Sequence, residues 1–260
     1  MERFSSFFVP QARHVISAFA GYMRGLFQSE RANMLRMSEV NLVDHQAMQP
    51  MLTDAGVDWE GVGTQIAQET DALLGGADSV LLLDESAMAK KGRCSAGVER
   101  QWNGRLGKID NCQVGVFAAL YRGDMASLVD ARLYLPRSWT DDAERCRKAA
   151  VPEDQRIHRS KSQLALEMVK TARQRGMRFG YVAVDGGYGK EPAFLRELDT
   201  LGERFVADVH RDQTIYCKIP SHGYRPGQDA VRRRYAVNRS APGCGSISGP
   251  PSSRRPLGEP

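Results

Sequence analysis

Long apolar runs are missing from this 260-residue sequence. The longest near the N-terminus, residues 15–23, covers nine positions between Arg13 and Arg24, whereas a membrane-crossing helix needs about 20. The opening Met1-Glu2-Arg3-Phe4 lacks the basic, apolar and small-residue zones of a signal peptide. The expectation is a cytoplasmic protein with no membrane partner. Cysteine is scarce and unpaired in pattern: five residues, at 94, 112, 146, 217 and 244, with no C-x-x-C among them. That argues against a zinc ribbon, a thioredoxin-like centre and a disulfide scaffold. The five histidines show no metal-ligand spacing; His210 and Cys217 could share a zinc only with two ligands the sequence does not offer. No G-x-S-x-G and no repeat of 20–50 residues occurs.

What is present is charge, unevenly placed. The formal net charge is +5, yet residues 211–260 hold nine Arg/Lys against three acids, which leaves residues 1–210 one charge negative. A basic tail has two readings, nucleic-acid binding or a solvated unfolded segment. Residues 240–260 contain five Pro, four Gly and five Ser, too little apolar surface to offset the entropy of ordering. Residues 217–260 therefore read as a disordered tail.

Residues 1–75 carry apolar positions at helical spacing: Met34, Leu35, Met37 and Val40 in one stretch, Met48, Met51 and Leu52 in the next. Asp58 is placed to cap a third helix running through Val62, Ile66 and Leu73. The pattern accommodates a helix-turn-helix as well as other small helical bundles. From residue 76 the texture changes. Ser79–Ser86 is an apolar run ending in acids, as a buried strand would be. Strands follow over 112–121 and 127–135, joined by a turn at Arg122-Gly123-Asp124. A helix over 160–175 ends at Gly176, then come a strand over 179–185, a helix over 191–201 ended by Gly202, and a strand over 204–209. Three strands in a meander and two reached by helical crossovers predict a mixed five-stranded sheet with helices on its faces, an α/β (α+β) fold of ribonuclease-H-like arrangement. The expected organisation is a helical region over 1–75, a core over 76–216 and the tail.

Two acids stand out. Asp84 closes the first core strand and Asp185 the strand after the 160–175 helix, and in this order those two strands are neighbours. Carboxylates held close together repel unless a cation bridges them, and Mg²⁺, with Mn²⁺ as a substitute, is the natural guest of hard oxygen ligands. Two such ions would activate a nucleophile and stabilise the leaving oxygen of a phosphodiester. The plain reading is that each Asp serves a turn or a helix cap. Glu85, facing the other side of the strand, reads as structural. Asp185-Gly186-Gly187-Tyr188-Gly189-Lys190 imitates a phosphate loop, but Val184 and Glu191 occupy the places of the required Gly and Ser/Thr.

Several blocks, in order, resemble the DDE-type insertion-sequence transposases of the insertion sequence 701 subgroup. They are Val80–Ser86 with Lys90-Lys91-Gly92 and Gly97–Trp102, then Asp110–Val116, Leu133–Asp142 and Val184–Gly189. The resemblance covers roughly residues 1–216. It implies a ribonuclease-H-like core, a divalent metal, and cleavage and joining of DNA, with Asp84 and Asp185 matching the first two acids of the triad as catalytic residues and metal ligands. It further implies that the N-terminal helices grip the element's terminal repeats, that target DNA is the second partner, and that the protein works on the nucleoid as a dimer on DNA.

The sequence departs from that pattern downstream. The third acid should be a glutamate on a later helix, but Glu259 is the only Glu beyond residue 203 and lies between Gly258 and Pro260. The expectation is a truncated or frameshifted transposase, inactive or impaired, which sequencing past codon 216 tests. The alternatives are a catalytically dead DNA-binding remnant that regulates or inhibits transposition, and a ribonuclease-H-like nuclease unconnected with a mobile element.

Overall fold

The first helices form where the apolar spacing places them. In the computed structural model, which describes residues 2–9, 13–30, 33–41, 43–53, 56–208, 215–216, 230–231 and 235–237, a short 3-10 turn leads into β1 (Phe8–Val9) and α1 (Arg13–Gln28). Then come α2 (Met34–Asn41), α3 (His45–Thr53), β2 (Gly56–Val57) and α4 (Trp59–Leu74). Helices α1, α2 and α3 pack on one another. Gly25 of α1 lies so close to Met37 of α2 that a Cβ there would fall 2.5 Å from the Met37 side chain. The missing side chain is what lets the two helices approach. Asp58 caps α4 as expected, accepting a 2.9 Å bond from the Gly61 N–H.

The sheet follows: β3 (Val80–Ala89), β4 (Glu99–Asn103), β5 (Lys108–Arg122) and β6 (Met125–Leu133). Next are α5 (Arg137–Thr140), α6 (Ala143–Lys148), α7 (Lys161–Gln174) and β7 (Tyr181–Val184). Long β5 organises it. One edge pairs antiparallel with β3 from Val80↔Tyr121 to Ala89↔Cys112. The other edge is shared end to end by β4 (Glu99↔Cys112 to Asn103↔Lys108) and β6 (Gly115↔Leu133 to Arg122↔Met125). Strand β7 lies beside β3, led in by bonds from the Gly180 and Tyr181 N–H groups to the Ser79 carbonyl. The neighbouring of the first and fourth expected strands is thus observed, and the architecture is a mixed α/β sheet consistent with a ribonuclease-H-like fold.

The two faces of the β3–β5 ladder differ. Leu81, Leu83, Ala87, Val114, Val116, Ala118 and Leu120 share one face and are all buried, against α4 and α7. Helix α7 begins with a capping box between Ser160 and Gln163 and ends at Gly176, whose φ is +77°. Its C-terminal region is tied to α4 twice. Arg175 reaches Glu60 at 2.9 Å, and Arg178 holds Asp71 through its backbone N–H (2.6 Å) and Nε (2.9 Å).

The chain forms two compact units, the first ending at Ala183. The second unit opens within the last residue of β7 and contains α8 (Gly186–Gly189), α9 (Pro192–Thr200) and β8 (Phe205–Asp208). It also contains β9 (Ile215–Tyr216), β10 (Ala230–Val231) and β11 (Tyr235–Val237). Strand β8 pairs antiparallel with β11, Phe205–Asp208 contributing Val206↔Val237 and Asp208↔Tyr235. Of the segment read as a tail, residues 230–231 and 235–237 are extended and the remainder lies outside the described residues. Strands β4 and β11 and the short helices α5 and α6 are additions to the expected element list.

Candidate active site

Asp84 sits in the middle of β3, not at its end, because the ladder with β5 continues through Ala89↔Cys112. Alternation along the strand puts Asp84 with Leu82, Ser86 and Met88, away from the buried Leu81 and Leu83. Its carboxylate is exposed, and Oδ1 accepts the Glu85 backbone N–H at 2.7 Å. Phe117 stands directly opposite across the ladder.

Glu85 faces the other way, as alternation requires. It makes a 2.8 Å ion pair with Lys161 at the start of α7, and the same ammonium lies 5.6 Å from the centre of the Tyr134 ring. Burial pushes the Tyr134 hydroxyl above its ordinary value, with Glu99 adding to the rise. Lys161 carries no signal in the sequence. Its partner is 76 positions away, and only the fold brings them together.

Asp185 belongs to the second unit, immediately after β7. It is the N-cap of α8, and its Oδ1 accepts the Gly187 N–H at 2.9 Å and the Tyr188 N–H at 3.4 Å. The capping reading of Asp185 therefore holds as local structure. The glycines around it have structural reasons. A Cβ on Gly189 would collide with the Asp208 carbonyl, and Tyr188 is buried with its ring 5.5 Å from Phe194. Nothing in this turn needs a bound phosphate to account for it.

As donors, the two residues suit a hard divalent cation: both are exposed carboxylates, and in both the backbone bonds described reach Oδ1. Among the described residues no group of three or more His, Cys, Asp or Glu gathers as a metal site. His210, Cys217 and Glu259 lie outside the described residues.

A concave space in the first unit lies elsewhere. A groove of about 910 Å³ runs between α4, β6 and the 149–159 segment, and its lining includes neither Asp84 nor Asp185. Its arginines are already matched. Arg132 meets Asp130 at 3.2 Å and Glu167 at 2.9 Å, Arg159 meets Glu167 at 3.2 Å, and Arg175 meets Glu60 at 2.9 Å. Compensated charge of this kind holds β6 against α7 and leaves little affinity for an ionic ligand. Among the described residues no helix is long and apolar enough to cross a membrane.

Comparison with known proteins bears on the family of the chain. The family model described as DDE superfamily endonuclease matches residues 14–245. A probable transposase for insertion sequence element IS701 from Microchaete diplosiphon is 26% identical over 180 residues, which cover 68% of this chain and 43% of the relative. The chain thus spans less than half the length of the curated relative it matches.

Proposed function

The chain belongs to the DDE superfamily endonucleases, and from that membership we propose that it is the transposase type of such an enzyme, acting on the ends of a mobile element and on target DNA. The observation that carries this reading is Asp84. Its carboxylate is displayed on the open face of a central strand whose Leu81, Leu83 and Ala87 are buried core. The acid thus lies on the side of the strand opposite the apolar core, where a charged carboxylate can meet a cation without leaving water.

In this reading Asp84 and Asp185 are each a ligand for Mg²⁺, or Mn²⁺ in its place. Such an ion, when bound, neutralises phosphate charge and makes water or a 3′-hydroxyl a better nucleophile. The protein's own contribution is orientation. The Glu85 N–H fixes the Asp84 carboxylate from one side, and the Gly187 and Tyr188 N–H groups fix that of Asp185, so neither has to be ordered when substrate arrives. Hydrolysis at the element end releases a 3′-hydroxyl, which then attacks a target phosphodiester in line. The N-terminal helices α1 to α3 are the proposed grip on the terminal repeats, and a dimer on DNA is the proposed assembly.

The second reading rests on one observation. Residues 204–258 contain no glutamate, so that stretch does not offer the third acid that the resemblance implies. Losing one metal ligand removes much of the transition-state stabilisation. The chain by itself then cleaves feebly or not at all and acts by occupying DNA ends. A supercoiled-plasmid nicking assay with Mg²⁺ or Mn²⁺ separates the two, run with Asp84→Asn and Asp185→Asn. Metal-dependent nicking lost in both variants supports the nuclease. DNA binding without nicking under any condition supports the binding remnant, and neither binding nor nicking overturns both.

A further inference from the structure

The hairpin β4–β5 projects an aromatic and cationic face that the catalytic reading does not use. Alternation places Arg100 and Trp102 outward and Gln101 and Asn103 inward. Trp102 pairs across the ladder with Ile109, and the two are 56% and 57% exposed. At the tip, Gly104-Arg105-Leu106-Gly107 leaves Arg105 and Leu106 in solvent, with Lys108 beside them. The preceding loop adds Lys90, Lys91 and Arg93, all exposed. Residues 90–109 thus hold six cations and one acid, Glu99, although residues 1–210 as a whole are one charge negative. None of the six is in an ion pair among the described residues.

This surface is held in place. The tip is set by the Asn103 carboxamide, which accepts the Arg105 N–H at 3.2 Å, and by the Leu106 N–H on the Asn103 carbonyl at 3.1 Å. Gly107 closes it with a φ of +62°. Behind the hairpin, buried Trp139 donates from Nε1 to the Val98 carbonyl at 2.9 Å. Arg145 stacks on that indole at 3.8 Å and bonds the same carbonyl at 3.1 Å. Asn111 anchors the 90–92 loop through the Lys90 and Gly92 carbonyls. The single acid is engaged as well, with Glu99 accepting from Ser138 at 3.0 Å. An indole kept rigidly in water at a cost in exposed apolar surface, with unpaired cations on both sides, is the chemistry of a stacking platform for bases with phosphate contacts along its rim.

We infer that the β4–β5 hairpin binds an unpaired stretch of DNA, with a base stacked on Trp102 and phosphates held by Arg100 and Arg105. The inference rests on the reading of the chain as one that acts on DNA. Its occupant is a single strand because a duplex offers base edges and no open base face to an exposed indole.

The test uses the full chain with Trp59→Phe, so that Trp102 is the exposed tryptophan among the described residues, titrated with oligo(dT) in chelator so that no cleavage can occur. The expected result is quenching of the exposed tryptophan emission and binding weakened at least tenfold by Trp102→Ala. Trp102→Phe should retain most of the affinity, and Arg100→Ser with Arg105→Ser should lower the salt slope by about one to one and a half. Trp102→Ala that binds oligo(dT) as the parent does overturns the inference. So does equal quenching by a blunt duplex, and so does concentration-dependent self-association abolished by Trp102→Ala with DNA binding unchanged. Because chelator removes catalysis from the readout, failure here leaves the nicking result standing, and failure of nicking leaves this result standing.

Discussion

Asp84 and Glu85 are adjacent in the chain and point to opposite faces of β3, one carboxylate exposed and the other in a 2.8 Å pair with Lys161. Under the proposed function the two acids separate chemistry from architecture within one dipeptide. Asp84→Asn should abolish metal-dependent nicking and leave thermal stability nearly unchanged, since its carboxylate is exposed. Glu85→Gln should keep nicking and cost up to about 1 kcal/mol, the range of a partly exposed ion pair. Parallel melting curves and plasmid assays on the two variants check both halves. Equal loss of activity in both would remove the distinction.

The Arg178–Asp71 contact ties the end of α4 to the chain entering β7 through two bonds to one carboxylate and a third to the Asp71 carbonyl. Charge-assisted bonds of this kind are worth about 1.5–3 kcal/mol when one partner is removed. Asp71→Ala should lower the urea midpoint accordingly, and Arg178→Lys should recover only part of it, because Lys cannot reproduce the fork.

Trp139 supports the arm that carries the hairpin. Trp139→Phe removes the donor to Val98 and should cost roughly 1–3 kcal/mol, with faster amide exchange over residues 93–99 than over β3. Exchange rates that rise uniformly over the first unit would show that the indole stabilises the core at large and not this arm.

Thiol chemistry should follow burial. Cys94 is exposed, whereas Cys112 and Cys146 are buried, and burial also pushes the Cys112 thiol above its ordinary value. Iodoacetamide should modify Cys94 faster than Cys112 by roughly two orders of magnitude, read by peptide mass mapping. The sign for stability follows from linkage: a raised acid pKa stabilises the fold below the ordinary thiol range, and that contribution is lost as pH climbs through and beyond it. Tyr134, raised chiefly by its burial, acts in the same direction. Stability should therefore decline on the alkaline side, and Cys112→Ala should make the decline shallower.

Much of this was legible in the residues. Apolar runs gave β3, β5, β6, β7 and β8, and Ser160, Gly176 and Gly202 marked the helix ends. The end of β3 was misplaced by three residues because Ala87, Met88 and Ala89 carry weak strand signals, and only a long partner strand keeps them paired. Strand β4 was missed for a different reason. Its inward residues are polar, and they are satisfied by the main chain, Gln101 by the Cys112 and Gly97 carbonyls, so no apolar alternation marks it. Helices α5 and α6, of four and six residues, are too short to display a helical period. The acids proposed for the site were picked out by sequence blocks, and the capping duty of Asp185 was legible through the glycines that follow it. The pairing of Lys161 with Glu85 was not, since nothing local announces a contact made across 76 residues.

The ten-residue ladder of β3 on β5 has a consequence for how this sequence can vary. Side chains alternate faces, so deleting or inserting one residue between Val80 and Leu83 would turn the Asp84 carboxylate into the apolar interior and bring a leucine out in its place. A change of two residues would return the acid to the open face. Length variation in this strand is therefore tolerable only in even steps, while the loop over residues 90–98, outside any ladder, is free of that parity. Related chains should differ in length in that loop and keep strict count from the start of β3 to its aspartate.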